Sequence, residues 1–86
     1  MIGVRVMAFD SSQQALRAEM LLEERNIAFD MIPTPGTITA GCALSLSFST
    51  EELGRVMTVV QEEHIEIRGI FRASDSSGDG SFEQLV

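Results

Sequence analysis

The chain has 86 residues, 44% of them hydrophobic, which fits one small folded domain with a thin core and excludes a disordered chain. Thirteen acidic side chains stand against six arginines, with no lysine, for a net charge of −7. That balance argues against a nucleic-acid partner, whose phosphates need clustered positive charge, and the missing lysine excludes Schiff-base chemistry and lysine-based phosphate loops. A single cysteine cannot form an internal disulfide; with no signal-peptide pattern and no apolar run of about 20 residues, the chain reads as cytoplasmic, soluble and without a membrane partner.

Ile2, Val4, Val6 and Ala8 alternate with Gly3, Arg5, Met7 and Phe9, a period of two that predicts a first strand. Ser11 followed three residues later by Gln14 has the form of a capping box, and a helix is expected from there to about Arg25, with Ala15, Ala18, Leu21 and Leu22 as its apolar stripe and Asn26 as its terminator. Residues 27–32 read as a second strand that Pro33 ends. Thr34 to Gly41 form a loop, after which Leu44, Leu46 and Phe48 alternate with Ala43, Ser45 and Ser47 in a third strand. Ser49 and Glu52 suggest a second capping box, leading into a helix whose stripe is Leu53, Val56, Met57 and Val60. Ile65, Ile67, Gly69 and Phe71 alternate with Glu66, Arg68, Ile70 and Arg72, which predicts a fourth strand. From residue 73 the composition turns to Ser, Gly and Asp, so the domain is expected to span 1–72 and residues 73–86 to form a flexible acidic tail.

The order strand–helix–strand–strand–helix–strand predicts an α+β, ferredoxin-like βαββαβ sandwich: a four-stranded antiparallel sheet with two helices on one face. The other face would be open to a ligand or to a second subunit, and a domain this small is compatible with a homodimer.

Cys42 is the residue on which function turns. Its parity matches Leu44, Leu46 and Phe48, so an unbroken strand would point the thiol into the core as packing. Gly41 before it permits a bulge or a close backbone approach, and Pro33 and Pro35 stiffen a loop able to hold the thiol at an opening. Both readings stand on the residues alone. The strand start is expected at the end of the sheet where the helices finish, a place that disfavours a nearby anion. Pro33, Thr34, Pro35, Gly36, Thr39 and Gly41 are the candidate binding loop, and Thr37 could add a further hydrogen bond.

Other motifs carry less. Asp75 to Phe82 resembles the first part of a calcium loop, yet Val86 stands where the closing glutamate belongs. His64 has no cysteine or histidine cluster around it in the sequence and suits a helix exit turn, so no metal is expected. The pairs Glu23–Glu24, Glu51–Glu52 and Glu62–Glu63 read as solvated helix faces. No cofactor is implied.

Taken together, residues 11–22 (Ser-Ser-Gln-Gln-Ala-Leu-Arg-Ala-Glu-Met-Leu-Leu), Met-Ile-Pro-Thr-Pro over 31–35, Gly-Cys at 41–42 and Ile-Arg-Gly-Ile-Phe over 67–71 resemble the bacterial DUF3343 family of selenium/sulfur carrier-like domains. The resemblance covers about residues 2–72. It implies that Cys42 holds sulfur or selenium as a persulfide or perselenide, received from a protein partner such as a pyridoxal-phosphate-dependent desulfurase or a selenium-transfer enzyme. It implies a carrier and not an enzyme. Gly36 stands where that family often has a basic residue, and Ala43 where it often has glycine. Two other readings remain open at this point: a non-catalytic interaction or small-ligand module, dimeric through its sheet, with Cys42 as packing; and a redox sensor bridging two subunits through Cys42.

Overall fold

The computed structural model describes residues 4–36, 38, 40–73 and 82–85. Its elements run β1 (Val4–Ala8), α1 (Ser12–Glu24), β2 (Asp30–Pro33), β3 (Leu44–Ser49), a 3-10 turn (Thr50–Glu52) leading directly into α2 (Leu53–Glu62), β4 (Gly69–Ala73) and β5 (Phe82–Gln84). The strands lie in the order β2-β3-β1-β4-β5, and every neighbouring pair is antiparallel. The first four strands and two helices are the α+β, ferredoxin-like arrangement that the element order predicts.

Two apolar clusters lie on opposite faces of the sheet. Met7, Phe9, Leu46, Phe48 and Ile70 join Ala15, Ala18 and Leu22 of α1 and Val56, Val59 and Val60 of α2 in the main core. The stripes read from sequence are therefore the buried ones, with Leu21, Leu53 and Met57 packed at the margin and Val59 added. On the other face Val6, Ala8 and Phe71 form a smaller cluster with Ile38, while Ile32 and Ala40 pack against it. That face is not left open, as the element order alone suggested. The loop between β2 and β3 crosses over it and drops Ile38, 6% exposed, onto the sheet.

Several local expectations are corrected. The fourth strand begins at Gly69, not near Ile65, and its register is broken before that point. Ile65, Ile67 and Ile70 all face the main core, whereas Phe71 belongs to the opposite cluster, so one strict alternation does not run from 65 to 72. The second strand likewise begins at Asp30, with Ile27 and Phe29 reaching the core from irregular chain. Residues 82–84, read as part of a flexible tail, form a strand: Phe71, Arg72 and Ala73 pair with Gln84, Glu83 and Phe82. The tail residues 74–81 and 86, with most of the calcium-loop-like segment, lie outside the described residues.

Neither capping box closes on itself. Ser11 is the N-cap of α1 and its side chain accepts from the Gln13 N–H at 3.2 Å, but Gln14 uses its carbonyl oxygen to accept from Glu66 N–H at 3.3 Å. Ser49 makes no side-chain cap bond, and the Glu52 carboxylate instead accepts from Ala28 N–H at 3.1 Å. In each case the last residue of the box reaches the segment that leaves the other helix.

Both helices also end alike. Ile27 N–H donates to Leu22 and Asn26 N–H to Glu23, while Ile65 N–H donates to Val60. Asn26 and His64 occupy the left-handed position this termination requires, at φ 57° and 54°. Asparagine tolerates that conformation; histidine carries the cost of a Cβ there. His64 is exposed, so His64→Gly should stabilise the fold by about 1 kcal/mol and raise the thermal midpoint by about 4–8 °C, measured by circular dichroism. An unchanged or lower midpoint would show that the histidine side chain makes a compensating contact.

Candidate functional site

Because β1 and β3 are antiparallel, β3 begins where β1 ends, and that is also where α1 starts. The pairing of Ala8 with Ser45 would, if continued, set Phe9 opposite Leu44. Instead Cys42 N–H donates to the Phe9 carbonyl at 3.0 Å. The chain bulges by two residues at Cys42–Ala43, and Leu44 N–H, released from the ladder, lies 3.5 Å from Cys42 Sγ. A backbone N–H aimed at sulfur is a donor that can solvate a sulfur anion.

The earlier expectation about helix ends is thus corrected. Cys42 lies at the end of the sheet where α1 begins, not where both helices finish; only α2 ends there. Cys42 is buried, 7% exposed as a residue, and belongs to the main core with Phe9, Leu46 and Ile65. Its side chain takes the face that its parity with Leu46 and Phe48 indicated. Leu44, of the same parity, is exposed at the strand entrance.

The candidate loop is a strap over this end of the sheet. Pro33 is exposed and pairs with Leu44 as the last residue of β2. Thr34 N–H donates to the Ala43 carbonyl at 2.7 Å, and Thr34 Oγ1 donates to the Cys42 carbonyl at 2.9 Å. The Pro35 carbonyl accepts from Ile38 N–H at 2.9 Å, closing a turn over Gly36. Gly36 touches nothing that a methyl group would meet within 4 Å. Thr37 and Thr39 lie outside the described residues. Gly41 donates its N–H to Asp10 Oδ1 at 2.9 Å, and a Cβ built on it would stand 2.6 Å from the Asp10 carbonyl oxygen. The strap thus brings Thr34 and Gly41 to the Cys42 backbone and leaves Gly36 clear of it.

Sequence reasoning missed Phe9, Asp10 and Ser45. Besides accepting from Gly41, Asp10 approaches Arg68 Nη1 at 3.9 Å. A cleft of about 310 Å³ lies between Asp10, Ser11, Gln13, Gln14, Glu66 and Ile67, and Cys42 does not line it. Glu23 and Glu24 are exposed, as a solvated face is, while Glu52, Glu62 and Glu63 also meet arginines. Arg25 bonds Glu62 and Glu63 at 3.1 and 3.2 Å, Arg17 approaches Glu63 at 3.6 Å, and Arg55 bonds Glu52 at 3.1 Å. Such partly exposed pairs contribute modestly, about 0–1 kcal/mol each. Among the described residues no three His, Cys, Asp or Glu side chains gather where they could hold a metal ion, and no helix is long and apolar enough to cross a membrane.

Compared with known proteins, the chain matches one family model, described as "Putative Se/S carrier protein-like", over residues 5–72. The match ends at Arg72, inside β4, and contains the whole strap with Cys42. No curated protein matches the chain, and no solved structure does.

The two strap glycines should respond oppositely to a methyl group. Gly41→Ala must push the Asp10 turn away and is expected to cost about 1–3 kcal/mol in urea unfolding. Gly36→Ala has room, and should be neutral or stabilising by up to about 1 kcal/mol through the unfolded chain. Equal effects at both positions would contradict the close approach of Gly41 to Asp10.

Proposed function

Since the chain belongs to the Se/S carrier protein-like family, we propose that it carries sulfur or selenium on Cys42 as a persulfide or perselenide. The observation that carries this reading is that the family match encloses Cys42, the only thiol of the chain. The donor is a protein that itself bears a persulfide or perselenide, such as a pyridoxal-phosphate-dependent desulfurase or a selenium-transfer enzyme.

The step balances without an oxidant or reductant. The Cys42 thiolate attacks the terminal sulfur of the donor persulfide; a bond forms between Cys42 Sγ and that sulfur as the bond from it to the donor's own sulfur breaks. The electron pair leaves with the donor thiolate, which takes up the proton, and Cys42 is left as the persulfide. Selenium transfer follows the same course. In the buried arrangement Leu44 N–H is the donor that faces the Cys42 sulfur.

The burial of Cys42 sets a condition on the reaction. Cys42 is only 7% exposed as a residue, so on this reading a partner's persulfide reaches the sulfur when the bulge at 42–43 opens away from the core. The same burial favours a second reading, in which Cys42 is packing and the domain is a non-catalytic interaction or ligand module. A redox bridge between two Cys42 thiols would need two such openings at once.

Incubation with a desulfurase and ³⁵S-cysteine separates the readings. The carrier reading expects label on the native chain that is released by dithiothreitol, and none on Cys42→Ala, a variant expected to lose only about 1–2 kcal/mol of stability. Equal labelling of both, or of neither, would sink the carrier reading and leave the interaction module.

A further inference from the structure

Thr34 leaves β2 beside the bulge and makes three short contacts there. Its N–H reaches Ala43, its Oγ1 reaches the Cys42 carbonyl at 2.9 Å, and the same Oγ1 lies 2.7 Å from Ser45 Oγ. The proton placement follows from chemistry. A carbonyl oxygen only accepts, so the single Thr34 hydroxyl proton goes to Cys42. Ser45 is therefore the donor to Thr34. Ser45 is 0% exposed, the one fully buried polar residue among those described, and a buried hydroxyl is retained where it has a partner.

The chain of bonds runs Ser45 hydroxyl to Thr34 hydroxyl to Cys42 carbonyl. It approaches the Cys42 peptide from the face of the sheet opposite the thiol, because Ser45 alternates with Leu46 and pairs with Ala8 of the smaller cluster. Displacement of the 42–43 bulge is what would carry the sulfur out of the core, and the Cys42 carbonyl in that bulge is held by Thr34 Oγ1, which Ser45 Oγ backs.

We propose that Thr34 is a positioning residue for Cys42: with Ser45 it latches the Cys42 peptide and sets how often the thiol leaves the core. This deepens the carrier reading and rests on it, since a latch on the thiol matters only where a partner must reach it. Thr34→Val removes the donor to Cys42 and strands the Ser45 hydroxyl; Thr34→Ser keeps both bonds.

The test is the rate of Cys42 alkylation by iodoacetamide in the folded protein, measured across pH and beside urea unfolding. Thr34→Val should react about tenfold faster than the native chain, as expected for two hydrogen bonds lost, by a factor that is constant with pH because the latch governs opening and not ionisation. Thr34→Ser should stay within about twofold of the native rate, and Ser45→Ala should fall between, having lost one bond. The native chain, brought by urea to the same global stability as Thr34→Val, should remain the slower of the two. If the two then react equally fast, Thr34 is merely structural and the latch is overturned; unchanged rates in Thr34→Val and Ser45→Ala overturn it as well. Faster alkylation with no sulfur uptake by any variant would uphold the latch while the carrier reading fails. Sulfur uptake by the native chain with unchanged alkylation in Thr34→Val would do the reverse.

Discussion

The carbonyl of Asp10 and the α-carbon of Gly41 approach so closely that no side chain fits between them, and the thiol end of the molecule depends on that contact. It sets the strap against the turn after β1, where Cys42 N–H takes the Phe9 carbonyl and the β1–β3 ladder stops after Ala8–Ser45. The break frees Leu44 N–H to face sulfur and creates the bulge whose peptide Thr34 holds. A continuous strand would have buried the same thiol with no such device. The bulge makes Cys42 a core residue on a segment outside the regular ladder.

The strap is anchored on both faces of the sheet. Ile38 covers Val6, Ala8 and Phe71 on one side, and Cys42 packs with Phe9, Leu46 and Ile65 on the other. Below it the two halves of the fold hold one another reciprocally. Gln14 at the start of α1 takes Glu66 N–H just after α2, and Glu52 at the start of α2 takes Ala28 N–H just after α1. The pieces Asn26-Ile27-Ala28 and His64-Ile65-Glu66 play the same part in each half: a left-handed residue, a buried isoleucine, and an N–H given to the opposite helix start. The described strap residues 34–36, 38 and 40–43 lie outside the strands of the sheet, and a reversible opening draws on segments held by few ladder bonds.

Much of this was legible in the residues. Ala15, Ala18 and Leu22, and Val56 and Val60, recur at helical spacing because both helices lie on one sheet and bury one stripe each. Leu46 and Phe48 alternate with serines because β3 is central and two-faced, and the order of these elements leaves few topologies. The β4 register was not legible, since Ile65 and Ile67 are irregular chain that reaches the core before any ladder forms. Neither was β5, three residues at the end of a stretch rich in Ser, Gly and Asp whose pairing with β4 is tertiary. Spacing alone makes the capping glutamine and glutamate local partners, because the sequence does not show which distant N–H needs an acceptor. At the site, Gly41 and Cys42 stood out as residue types, but the grip of Thr34 and Ser45 depends on a bulge that no alternation pattern reveals.

The central claim is that a buried thiol becomes available by local opening of the bulge and not by unfolding of the domain. Hydrogen exchange at the Cys42 amide tests it most directly, with the Met7 and Leu46 amides of the central strands as reference. The account predicts that Cys42 N–H, although bonded to Phe9, exchanges at least about a hundredfold faster than the reference amides and with little response to low denaturant, as a local opening does. Exchange of Cys42 at the same rate as Met7 and Leu46, rising with denaturant alongside them, would mean that the thiol is freed only when the whole fold is lost, and would contradict the account.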